Sequence, residues 1–281
     1  MTTQSYRDCP ERNVSQLPQY KMFVLRFFIA RTAALCCAAG ETAPERRHLR
    51  LNEVLRNERK FLIDISEMMR KGHELSLLLH EDPHNGPEGY IIRSLYFDTE
   101  YDGDFFDKEF GMDVRKKLRL RLYDPSSQTA VLEMKQKQGQ QQRKRSLRLR
   151  REDAQRLIAC DYSPLLRYPE PFAAECYALM HTRCYRPRTI VQYRRKAFIA
   201  KENRIRITFD HQIDATSSSF DLFSPELIMT PVMDRSQAVL EVKYNGFLLY
   251  YIQQMLNSID KSEISVSKYC LARQMTYYGS L

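Results

Sequence analysis

A strict two-residue alternation of Lys or Arg with aliphatic residues recurs in several separate segments of this chain, and it leaves few folds open. In the run KKLRLRLY, Lys117, Arg119 and Arg121 share one face of an extended strand while Leu118, Leu120 and Leu122 share the other. VLEMKQK sets Glu133, Lys135 and Lys137 against Leu132 and Met134, and RIRITFD sets Arg204, Arg206, Thr208 and Asp210 against Ile205, Ile207 and Phe209. VLEVKY adds Glu241 and Lys243 opposite Leu240 and Val242; Glu58 and Lys60 share a face, as do Tyr193 and Arg195.

A single such strand reads most simply as part of a half-buried antiparallel sheet with its polar face in water. Together, however, these strands bring cations side by side, and like charges opposite one another in a sheet repel. A sheet closing with the charged faces inward would place them around an enclosed cavity, where a ligand of high negative charge relieves the repulsion. The aliphatic faces would then lie outside, under helices, the inverse of a small barrel filled by apolar side chains. Arg offers a planar fork for phosphate oxygens and Lys a compact charge, so a mixed lining suits several phosphates in line. Glu133 and Glu241 admit two readings: simple charge pairing with their basic neighbours, or oxygen ligation of Mg²⁺ or Mn²⁺.

Turn-rich stretches at 80–89, 123–128 and 215–221 separate the periodic segments. Strands are expected over 58–65, 90–98, 116–123, 130–137, 143–150, 190–199, 203–210 and 239–244, enough to close a barrel. Helices are expected over 66–79, 153–159, 171–181 and 246–259. The fold class is therefore α+β, an antiparallel β-barrel with flanking helices.

The chain has 281 residues, 43% of them hydrophobic and 28% charged, which permits a buried core in one main domain. Its formal charge of +9 favours polyanionic partners without choosing among them. Seven cysteines with no C-x-x-C argue against a disulfide framework or a zinc site and favour a reducing cytoplasm. The periodic pattern starts at Leu51, giving a domain over 51–281 and an N-terminal extension over 1–50. The stretch KMFVLRFFIARTAALCCAAGETA within that extension is interrupted by Arg26 and Arg31, too often for a membrane span. A poor signal peptide and a misassigned start near Met22 both stay open for it.

Phosphate-binding glycine loops, H-E-x-x-H and G-x-S-x-G are all missing from the sequence, which leaves the common nucleotide-loop, zinc-protease and serine-hydrolase chemistries without their parts. His80 and His84 flank Pro83 in a turn-rich segment and read as loop residues, and the Met and Tyr content reads as packing. Nucleic-acid binding is disfavoured because the cations alternate with aliphatics and lack aromatic platforms for bases.

In their order along the chain, RNERKFLI, SLYFDT, KEFGMDVRKKLRLRLY, LEMKQK, IVQYRRKAFI, RIRITFD, LEVKYNG and SVSKY resemble the VTC-type polyphosphate polymerase domain of the triphosphate tunnel metalloenzymes, CYTH-like proteins, over Arg56 to Tyr278. The resemblance implies an antiparallel tunnel in which the γ-phosphate of ATP is transferred to a growing polyphosphate chain with a divalent metal, typically Mn²⁺. By it, Lys60, Arg119, Arg121, Lys135, Arg195, Arg206, Lys243 and Lys268 contact ATP or polyphosphate. Lys144 is a further phosphate contact, with Arg143 or Arg145 as alternatives; Glu241 is a metal ligand, Ser267 is a hydroxyl beside the last lysine, and Glu58 and Tyr193 stand at substrate-binding positions. Such polymerases also work beside a membrane protein that accepts the product. Related triphosphatases and cyclases open with E-x-E-x-K, whereas this chain has Arg56, Glu58 and Lys60, which moves the reading toward the polymerase branch. Ser265 stands where a polymerase can carry another lysine. A triphosphatase or nucleotidyl cyclase on the same fold, and a non-catalytic polyphosphate or nucleotide sensor, are the alternatives.

Overall fold

The computed structural model describes residues 56–139 and 141–279. The expected extension over 1–50 and the boundary at Leu51 lie outside the described residues. The chain runs β1 (Arg56–Asp64), α1 (Ile65–Leu78), β2 (His80–Glu81), β3 (Tyr90–Asp98), α2 (Gly103–Glu109), β4 (Val114–Leu122), β5 (Thr129–Gln138), β6 (Gln141–Arg150), α3 (Arg151–Ile158) and α4 (Pro171–Thr182). It continues through β7 (Arg186–Ile199), β8 (Arg206–Thr216), β9 (Thr230–Pro231), β10 (Gln237–Asn245), α5 (Tyr250–Asn257), β11 (Ser262–Glu263) and α6 (Lys268–Tyr278).

The strands form one antiparallel sheet in the order β11-β1-β10-β8-β7-β3-β4-β5-β6, with β2 paired to β7 and β9 to β8. The sheet curls on itself, because Lys135 of β5 meets Glu58 of β1 at 3.3 Å although those strands stand far apart in the order. The α+β architecture matches the sequence expectation, but closure does not: among the described residues β6 and β11 do not pair with each other. The physical reason lies in those edges. β6 reads QQRKRSLRLR, and a row of charged side chains is a common device against further pairing; β11 is only two residues long.

The aliphatic faces lie outside, under helices. Leu118, Leu120, Leu132 and Leu147 pack with Leu157 of α3 and Phe172 and Met180 of α4. Phe61, Ile63, Ile207 and Leu240 pack with Met68 and Leu75 of α1 and Ile252 and Leu256 of α5. Each fully buried leucine of these layers contributes about 1.5–3 kcal/mol relative to exposure. α1 starts where Asp64 accepts a hydrogen bond from the Ser66 backbone N–H at 2.7 Å, and it buries Met68, Gly72 and Leu75 at helical spacing.

Several strand boundaries are corrected: β7 starts at Arg186 and not Ile190, and β8 runs to Thr216 and not Asp210. A strand was expected from Asn203 with Arg204 on its polar face, but Glu202–Arg204 forms a short 3-10 turn and β8 begins at Arg206. Asn203 and Arg204 both have positive φ, which strand geometry excludes. Two further helices, α2 and α6, carry no recognisable apolar period and were not anticipated.

Candidate functional site

Alternation on β1, β4, β5, β7, β8 and β10 directs one side chain in two into the curl of the sheet. Four interior carboxylates organise the cations found there. Glu133 of β5 receives Arg119 at 2.8 Å, Arg121 at 3.5 Å and Lys144 at 2.5 Å. Asp210 of β8 is wholly buried, held by Arg195 through two bonds of 2.6 and 2.7 Å and by Lys268 at 2.6 Å. Glu241 of β10 meets Lys243 at 2.9 Å, Arg195 at 3.6 Å and Lys60 at 3.8 Å. Glu58 of β1 meets Lys60 at 3.2 Å and Lys135 at 3.3 Å.

Every residue expected at the site therefore faces this network or borders it. Tyr193 lies beneath two cations, Lys268 at 4.7 Å and Arg195 at 5.4 Å from its ring centre. Arg206 is tied to Asp82 at 2.8 Å and to the Tyr90 hydroxyl at 3.1 Å. Ser267 caps α6 by accepting from the Cys270 backbone N–H, and it also receives Lys117. Lys144 sits at the rim, its side chain 53% exposed. At Ser265, the hydroxyl accepts from Lys108 Nζ of α2 at 3.2 Å, so an ammonium stands where the resemblance expects a lysine.

Burial alone would neutralise these groups, and the pairing prevents it. Burial works against the Glu241 charge, yet Lys243 and Lys60 outweigh it and hold the carboxyl well below the usual carboxylate range. Asp210 is lowered in the same way by Arg195 and Lys268, and Glu133 by Arg119 and Lys144. Lys117 and Lys135 move the other way, because burial lowers their pKa more than their neighbours restore it.

Reading the strands alone missed four contributors. Lys117 and Asp210 lay on the alternating faces already noted; Tyr96, whose hydroxyl accepts from Arg119 at 2.9 Å, is set by the parity of β3. Asp82 had no local signal, since it meets Arg206 only in three dimensions. The same loop ends at Gly89, whose φ is +84° and whose missing Cβ leaves room for the Arg195 backbone.

The interior is not polar throughout, which corrects the expected charge-lined cavity. On the same strand faces Ile92, Tyr96, Val191, Ile213 and Val239 pack with Tyr269 and Cys270 of α6. A bulge between β7 and β8, with Gln212 at φ 50°, lets both Asp210 and Ile213 point inward despite their odd spacing. The basic stretch is thus bounded on one side by an apolar cluster.

Glu58 and Glu241 stand on neighbouring strands and both meet Lys60 Nζ, at 3.2 and 3.8 Å. Two carboxylates so placed fit a divalent ion such as Mg²⁺ or Mn²⁺, which keeps water ligands and takes the rest from substrate phosphates. Among the described residues no three His, Cys, Asp or Glu side chains gather as a self-sufficient metal cage.

A family model of the VTC domain matches residues 55–277. The chain belongs to the VTC domain family. Its fold is the tunnel-type, phosphate-handling fold of that family. Among solved structures, a candidate adenylate cyclase from Bacillus halodurans is similar at 12% identity and a TM-score of 0.45, over 80% of this chain and 100% of that one. The PH1819 protein of Pyrococcus horikoshii is similar at 11% identity and a TM-score of 0.41, over 78% and 99%. No curated protein matches the VTC chain. None of its described helices is long and apolar enough to cross a membrane.

Proposed function

We propose that this VTC domain is an ATP-dependent polyphosphate polymerase, transferring the γ-phosphate of ATP to the end of a growing inorganic polyphosphate chain. The observation that carries the reading is the surplus of fixed cations over carboxylates along one continuous interior line, with Glu241 kept ionised among them.

Arg119, Arg195 and Lys268 are already oriented by Glu133, Tyr96 and Asp210, so they meet developing phosphate charge without reorganising. Arg121, Lys135, Lys144, Arg206 and Lys243 extend the grip to the other phosphates of ATP and of the chain. A terminal phosphate oxygen of the chain, already ionised, attacks the γ-phosphorus; the new P–O bond forms as the bond to the β-phosphate oxygen breaks, and ADP leaves. No protein nucleophile is needed; the cations screen the repulsion between the two anions. Glu241 with Glu58 would hold the Mg²⁺ or Mn²⁺, whose charge neutralises phosphate oxygens during transfer. Glu133, with three cations on its carboxylate, keeps the basic lining in place instead of binding metal. The cysteine pattern supports a cytoplasmic reaction, and the family resemblance supports a membrane protein as acceptor of the product.

Purified protein incubated with ATP and Mn²⁺ should give a ladder of polyphosphate on a stained gel. Absence of chains across metals, primers and pH would sink the polymerase, and orthophosphate or cyclic nucleotide in their place would restore the triphosphatase or cyclase. Glu241→Gln should lower synthesis at least a hundredfold while tripolyphosphate still binds. Undiminished synthesis would refute the metal assignment.

A further inference from the structure

We propose that a cavity at the opposite end of the curled sheet from the basic stretch is a second, separate site for a small organic phosphate of nucleotide size. The pairing of β3 with β7 sets the two ends: Tyr90 stands opposite Arg195 at one, and Asp98 opposite Arg186 at the other. Between them lies the apolar cluster of Tyr96, Val191, Ile213 and Tyr269, which separates the cavity from the tunnel cations.

The cavity measures about 470 Å³, and Cys160, Arg186, Arg188, Ser217, Phe220 and Arg273 are among its walls. That is far more space than a phosphate ion fills and lies within the range of small-molecule sites. Its charge is unbalanced. Asp102, itself buried, holds Arg273 at 2.5 Å and lies 3.2 Å from the Nε of Arg188, while Arg186 is exposed. Asp102 thus meets two of the three arginines, and among the described residues no carboxylate lines the cavity. Arg188 is also fixed by donating to the Thr99 and Glu100 carbonyls at 2.6 and 2.5 Å. Guanidiniums match the oxygens of a phosphomonoester, and Phe220 supplies an aromatic wall for a planar base. The ligand class is a nucleoside monophosphate.

Cys160 reports on the site, because it is a free, exposed cysteine in the wall, whereas Cys184, also free and exposed, does not line it. The full-length protein is treated with a maleimide, with and without AMP, and labelling is read peptide by peptide by mass spectrometry. AMP should slow labelling of Cys160 severalfold and leave Cys184 unchanged. Arg186→Glu should weaken that protection at least tenfold, Arg186→Lys should largely retain it, and neither should alter ATP-dependent activity. Ribose 5-phosphate, which lacks the base, should protect less well than AMP. The proposal is overturned by no protection at millimolar AMP, by equal protection of Cys184, by protection undiminished in Arg186→Glu, or by ribose 5-phosphate matching AMP.

Discussion

Asp210 is fully buried, and what keeps it charged is its two cations, Arg195 and Lys268. Asp210→Asn removes the anion, leaving Lys268 without its 2.6 Å partner and Arg195 with Glu241 at 3.6 Å, a change that typically costs about 3–5 kcal/mol. Urea unfolding should show that loss, and tripolyphosphate should restore more stability to the variant than to the parent, since it supplies the missing negative charge. The pH sign follows from the lowered pKa values of Asp210, Glu133 and Glu241. A carboxylate whose folded pKa is depressed stabilises fully above its unfolded value, near 4, and the contribution is lost as pH falls through the folded value. The parent should therefore lose stability on acidification below about pH 4 more steeply than Asp210→Asn, in thermal scans across pH. Much of this residue-level picture was legible, because period-two spacing fixes which side chains share a face; Lys60, Arg119, Lys135, Arg195 and Glu241 were read that way. Asp82 and Tyr96 were not, since their partners belong to other segments of the chain.

Elements were legible in proportion to how local their causes are. β3 was read with its observed bounds of Tyr90–Asp98, and α4 within one residue, because composition and turns mark them from within. α2 has its cap elsewhere: Asp98 at the end of β3 accepts from the backbone N–H groups of Asp104 at 2.8 Å and Phe105 at 2.9 Å, and from the Tyr269 hydroxyl at 2.5 Å. No pattern within GDFFDKE announces that arrangement. It also places a second carboxyl beside the first: burial, then Asp98, pushes Asp104 up to about 7. Because this folded value lies above the unfolded one, ionising Asp104 weakens the fold progressively from about pH 4 to about pH 7. Asp104→Asn keeps an acceptor for the Tyr185 hydroxyl and escapes that penalty. Its stability relative to the parent should rise between pH 4.5 and pH 8, by about 1–3 kcal/mol. A difference that is flat with pH would show that Asp104 does not titrate in that range.

For the whole molecule, the +9 charge and the concentration of cations within the sheet make the unliganded protein less stable than its bound form. Tripolyphosphate at a hundredfold excess over its Kd should add about 2.7 kcal/mol, a rise in Tm of about 5–10 °C for a domain of this size, and the gain should shrink with added salt. Sequence suggested a closed ring of strands, since alternation tells which way side chains point but not whether the first and last strands meet. Among the described residues they do not pair, and Lys135 of β5 and Glu58 of β1 face each other at 3.3 Å. A slotted bead, unlike a drilled one, can be slipped onto the middle of a thread. Polyphosphate with both ends blocked by bulky groups should therefore still bind and raise the Tm, though it cannot be extended; a strict requirement for a free end in binding would show that the slot stays shut.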